Sequence, residues 1–225
     1  MKLEEINFLD LKTELEHSKL PYKYRLEPTF VNYLKEYNSK SSFEDISFII
    51  RNNNSALYCP LTIEKSKDKN FLSFFGDPFS IIYSNITQES LELFYKKIKN
   101  ILIEKNIYKI NFLIEKPFKN EEYVDVVNKE ILIKNKLSKF IDLSKNIDSI
   151  KKDFSKGHKS SVKKEYDNLD YQIINFENYN DEILDMMLMH RNVVGKMTRS
   201  KKSWLLNGEM IKNDNAILLK TIFKN

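Results

Sequence analysis

The chain has only four glycines, Gly76, Gly157, Gly195 and Gly208. No two lie close enough to build a glycine-rich phosphate loop, which needs neighbouring backbone positions without a Cβ. That scarcity excludes dinucleotide-binding βαβ folds and Walker-type nucleotide enzymes. Cys59 is the single cysteine, so a disulfide framework and a cysteine-based zinc site are excluded as well. The three histidines, His17, His158 and His190, are too dispersed for a metal centre, and none is expected. With 41% hydrophobic and 31% charged residues over 225 positions, what remains is an ordinary globular chain of one large domain, or one domain and part of a second.

The apolar spacing predicts an α+β order. Residues 9–17 read as a helix. Glu27-Pro28-Thr29 opens a second, with Phe30, Val31, Leu34 and Tyr37 as its stripe. Strands are expected at 43–51 and 56–64, joined by the turn cluster Asn52-Asn53-Asn54-Ser55, with Pro60 marking an edge or a bulge. A third strand at 71–75 closes at Gly76-Asp77-Pro78. Residues 87–106 form the strongest helix, capped by Thr87, with Glu89 and Glu92 near its positive end and Leu91, Phe94, Ile98, Ile101 and Leu102 on its apolar face. Residues 108–115 read as a buried, central strand. A short helix at 123–128 and strands within 131–143 follow.

Beyond Ser144 the reading gives helices at 146–154 and 158–167, a strand at 171–176 and a helix at 180–197 with Met186, Met187 and Met189 facing the core. A helix at 203–212 and a strand at 215–223 complete it. A final apolar strand exposes unpaired backbone. It is expected to pair with the N-terminal sheet or with another chain, as in a homodimer, or to mark a chain cut short.

Charge is informative by position. Of 37 basic side chains, only Arg25, Arg51, Arg191 and Arg199 are arginines, so the net +5 is mostly lysine spread over the surface. In the last third it alternates: residues 151–164 sum to +5, 165–185 to −7 and 190–202 to +5. Lys152, Lys156, Lys159 and Lys163 share one face if a single helix runs through Gly157; the plain reading is a solvated lysine face. Arg191 and Arg199 fall in one short window. Guanidinium forks bind phosphate or carboxylate in fixed geometry, and the competing reading is an ion pair with Asp181, Glu182 or Asp185. The two basic windows are expected to converge, so that Lys159, Lys163, Arg191 and Arg199 hold an anionic group. Trp204, the single tryptophan, reads as a packing anchor, Asp77 as a turn residue and Cys59 as an inert core thiol. His190 is a weak candidate for a general base, and no catalytic triad or carboxylate pair is recognisable.

The segment Phe140-Ile141-Asp142-Leu143, then Lys156-Gly157-His158-Lys159-Ser160-Ser161-Val162-Lys163-Lys164 before Tyr171-Gln172-Ile173, resembles the central region of Fem-type (FemAB-like) transferases, which are built from two GNAT-fold modules. The stretch His190-Arg191-Asn192-Val193-Val194-Gly195-Lys196-Met197-Thr198-Arg199-Ser200, with Ser203-Trp204, resembles GNAT-like acyltransferases of surface-glycan gene sets. The resemblance covers about residues 140–205; earlier residues agree in element order. It implies a GNAT-like module over 1–140 and an incomplete second one over 141–225. It further implies acyl or aminoacyl transfer to an amino group of an anionic cell-envelope precursor or nucleotide-sugar, with aminoacyl-tRNA or acyl-CoA as donor. The absent glycine-rich pyrophosphate turn points away from acetyl-CoA, and no cofactor is bound by motif. The alternative is a non-catalytic module that holds RNA or an anionic glycan on its basic helical face. Acids stand where a signal peptide needs a basic start, and no apolar run spans a membrane, so a cytoplasmic location is expected.

Overall fold

The computed structural model describes residues 1–18, 20, 24–52, 55–113, 144–157, 169–174 and 179–223. The expected helix at 123–128, the strands within 131–143 and the helix at 158–167 fall outside the described residues. The fold is α+β. Strand β1 (Lys2–Glu5) leads into helices α1 (Phe8–His17) and α2 (Pro28–Tyr37). Strands β2 (Ser42–Asp45), β3 (Phe48–Arg51), β4 (Ala56–Cys59), β5 (Thr62–Ser66), β6 (Lys69–Ser73) and β7 (Ile82–Ser84) follow. Helix α3 (Gln88–Glu104) and strand β8 (Ile107–Ile110) come next. Then come α4 (Ile147–Lys152), β9 (Leu169–Ile174), α5 (Tyr179–Val194), α6 (Lys201–Lys212) and β10 (Leu218–Phe223).

Two of the expected strands are bent in the middle, side by side. β2 and β3 are one stretch broken at Ile46-Ser47; β4 and β5 are another, broken at Pro60-Leu61. Proline has no N–H for the ladder. The neighbouring groups pair locally instead: Ile46 N–H donates to the Leu61 carbonyl at 2.9 Å, and Leu61 N–H to Ser47 Oγ at 3.0 Å. The bend divides the strands into two four-stranded sheets, ordered β1-β3-β4-β7 and β2-β5-β6-β8. The strand pairings described within these two sheets are antiparallel except β6 with β8, which is parallel.

β1 was not expected, because Lys2-Leu3-Glu4-Glu5 offers one apolar side chain. Backbone pairing to β3 holds it, and Arg51 bridges Glu4 of β1 and Glu14 of α1, each at 3.3 Å. The β5–β6 turn uses Lys67 and Asp68 at φ 49 and 61, a left-handed pair without glycine. The third strand continues past Ser73 through a second tight turn at Phe74–Asp77, whose end residues exchange both backbone hydrogen bonds. Gly76, at φ 91, satisfies that turn, and an added Cβ would lie 2.4 Å from Asn38 Nδ2.

Side chains from Phe8 to Ile101 form one hydrophobic cluster between these helices and sheets. Phe79 and Phe112 stack at 4.6 Å, and Phe94 packs against Phe112 and Phe48. α3 carries a capping box: Ser90 N–H donates to Thr87 Oγ1 at 3.2 Å and Thr87 N–H to Ser90 Oγ at 3.0 Å. β8 corrects an expectation. Its apolar run reads as buried and central, yet among the described residues it ends a sheet, and Tyr108 is 64% exposed. A run of isoleucines signals strand; it does not by itself signal cover on both faces.

The chain divides into two compact units, Met1–Lys129 with Ile174–Ile217, and Glu130–Ile173 with Leu218–Asn225. In the first, α6 packs on α2 and on α5, so helices lying beyond the boundary expected near Phe140 share a unit with the N-terminal residues. In the second, β10 is hydrogen-bonded to β9 in a two-stranded sheet. No helix among the described residues is long and apolar enough to cross a membrane.

Candidate functional site

α5 ends at Val194 because Gly195 takes φ 76 and donates its N–H back to the Arg191 carbonyl at 2.8 Å. The chain then turns toward α6, whose N-cap is Ser200: its Oγ accepts from Ser203 N–H at 3.1 Å. Arg199 therefore stands directly before a capped helix start, a position fixed by local hydrogen bonds rather than by a free loop.

From there its guanidinium lies 3.5 Å from the Trp204 ring centroid, and Nη1 donates to Tyr33 Oη at 2.9 Å. Trp204 is buried, which bears out its reading as an anchor. It also meets the His190 ring, edge-on at 5.4 Å. Tyr33 continues a ladder of rings along α2, with Phe30 at 5.9 Å on one side and Tyr37 at 5.8 Å on the other. Tyr37 is 55% exposed, so the fourth member of the expected core stripe faces solvent. Beside the ladder, Ser200 Oγ donates to Glu36 at 2.6 Å and Lys202 pairs with the same carboxylate at 3.3 Å. These two contacts, Ser200 first, hold Glu36 below its ordinary acidity range.

The arrangement is a preoriented cation. Stacking on Trp204 and the Tyr33 hydroxyl fix the plane of the fork, so little rotamer freedom is lost when it meets an anion. Among the described residues, Tyr33 takes one of its five N–H donors. The ion pair considered for Arg199 at the acidic segment is not what the structure shows; aromatic rings receive it instead. Arg191 is exposed in the last turn of α5. Lys159 and Lys163 lie outside the described residues. The four-lysine face on one helix is corrected at its start. α4 stops at Lys152 with Asp153 as its cap and coil at Ser155, so Lys152 and Lys156 are not on a continuous helix.

A second arginine is already engaged. Arg25 pairs with Asp77 at the Phe74–Asp77 turn, where Asn38 Nδ2 also donates to the Phe75 carbonyl at 3.0 Å. Asp77 thus supports the turn, as its sequence context predicts. Cys59 is fully buried, and burial pushes its thiol well above the usual range, which leaves it no thiolate for nucleophilic chemistry.

Sequence reasoning missed Tyr33 as the partner of Arg199. The two are far apart in the chain, and no local spacing signals a pair formed only when α6 docks on α2. Compared with family models, with curated proteins and with solved structures, the chain finds no match.

Proposed function

We propose that the chain is an acyl- or aminoacyltransferase of the Fem/GNAT type, or part of one. It acts in the cytoplasm on an amino group of an anionic cell-envelope or surface-glycan precursor. The observation that carries this reading is the order of elements around α3. Two helices precede a β-meander, and the strand after α3 joins the sheet beside β6 in parallel. That is the order implied by the resemblance to GNAT modules. In the transfer, the amine nitrogen attacks the donor carbonyl and a C–N bond forms. The ester C–O bond of an aminoacyl-tRNA, or the thioester C–S bond of an acyl-CoA, breaks, and the amine loses a proton to a base. His190 is the candidate acceptor. Its ring lies against Trp204, one residue layer from Arg199. Arg199 holds a phosphate of the precursor.

The ring ladder Phe30-Tyr33-Tyr37 beside Arg199 favours a second reading, a module that binds RNA by stacking and charge. Calorimetric titration separates the two. The transferase reading expects saturable binding of a nucleotide-sugar or acyl donor, lost in Arg199→Ala. The module reading expects tight, steeply salt-dependent binding of generic RNA with no donor binding.

A further inference from the structure

We infer that the outer side of α5 is a self-association surface that takes a second copy of this chain, helix against helix, in antiparallel orientation. The surface is apolar where an ordinary solvent-facing helix is not. Met189 is 61% exposed and Val193, one turn on along the same face, 81%, with Leu188 beside them also exposed. On α3 the outer positions Glu89, Glu92, Lys96, Lys99 and Asn100 are polar, and Ile103, near its end, is the one exposed large apolar side chain. The inner side of α5 is already occupied: Ile183 is buried, Tyr179 packs at Gly208 of α6, and His190 meets Trp204. The exposed methionine also corrects the expectation that Met189 faces the core; Ile183 and His190 do so instead.

Charge selects the occupant and its direction. Asp181, Glu182 and Asp185 lie in the first turns of α5, while Arg191 lies in its last turn and Lys196 just past Gly195. Two copies side by side in parallel would set acid on acid and base on base. Antiparallel copies set each acidic end against the basic end of the other and also oppose the two helix dipoles. A two-fold axis near Leu188 generates both contacts at once and closes the assembly, as an isologous interface must. The apolar seam from Leu188 to Val193 then loses its water at the centre of the contact. This assembly is independent of the transferase reading and does not use the C-terminal strand.

Sedimentation equilibrium of the full chain tests it. The expected result is a reversible dimer, with Met189→Glu/Val193→Glu weakening it by at least about tenfold, or about 1.4 kcal/mol, at unchanged far-UV circular dichroism. A charge exchange fixes the orientation. Asp181→Lys/Asp185→Lys and Arg191→Glu/Lys196→Glu should each be monomeric, and the variant carrying all four substitutions should dimerise again, because only an antiparallel pair then sets its basic end against the acidic end of the other copy. A wild-type chain that stays monomeric at tens of micromolar overturns the inference. So does a dimer indifferent to Met189→Glu/Val193→Glu, which would place the contact elsewhere, or a fourfold charge-exchanged variant that stays monomeric.

Discussion

The sheet core and the α5–α6 hairpin bury their side chains by different routes. In the core, helices cover the sheets, and residues from Phe8 to Ile101 form one continuous cluster. In the hairpin, α6 buries Trp204, Leu206, Met210 and Ile211, whereas α5 buries Ile183 alone among its described residues. α6 is enclosed because α2 lies on one side and α5 on the other; among the described residues α5 packs on α6, and its other side is exposed. A helix needs apolar residues only where something covers them. An apolar stripe that no described residue covers therefore points to an interaction surface, while the buried stripe of α3 points to core.

Several substitutions can break or sharpen that contrast. The largest effect is expected in the core: Phe94→Ala should cost about 3–5 kcal/mol in urea unfolding. Trp204→Ala should cost a similar amount in the same transition. A separate, earlier transition in that variant would show that the hairpin melts independently of the core. Next, Gly76→Ala should cost about 2 kcal/mol. A Cβ at φ 91 is strained and would displace Asn38 from the Phe75 carbonyl. Thr87→Ala removes the acceptor at the start of α3 and should lower stability by about 1 kcal/mol. Val193→Ala on the outer side of α5 should change monomer stability by less than about 0.5 kcal/mol, since 81% of that residue is in solvent. A loss comparable to Phe94→Ala would mean that α5 is covered after all.

The smallest effect is electrostatic. Lys105 and then Lys65 beside Glu44 hold its carboxyl below the ordinary value. A lowered folded-state value means the stabilisation is present above the unfolded carboxylate range and is lost as pH falls through the folded one. Wild type should exceed Glu44→Gln slightly in melting temperature at neutral pH, and the difference should vanish in acid and shrink in high salt, as expected for an exposed cluster.

Much of the fold was legible because local signals and packing agree in it. Pro28 opens α2, Thr87 caps α3, and Pro60 marks the bend between β4 and β5. The sequence was silent where a tertiary partner decides. β1 forms by pairing with β3 despite its two glutamates, and Met189 lies outward despite a methionine-rich pattern that reads as core. The candidate site divides in the same way. Arginine scarcity marked Arg199, but the ring that fixes its orientation and the hydroxyl that accepts from it belong to Trp204 and Tyr33, and only docking of α6 onto α2 joins them.

The central claim is transfer of an acyl group to an amine, and mass spectrometry of an acceptor tests it most directly. The full chain would be incubated with an amino-sugar nucleotide and, in parallel, with aminoacyl-tRNA or acyl-CoA. The account predicts an acceptor heavier by one acyl or aminoacyl group with one donor class, and at least about tenfold less product with Arg199→Ala at equal protein stability, the equivalent of about 1.4 kcal/mol of transition-state binding. An unmodified acceptor with every donor, from a folded chain that binds RNA tightly and in a steeply salt-dependent way, would contradict it.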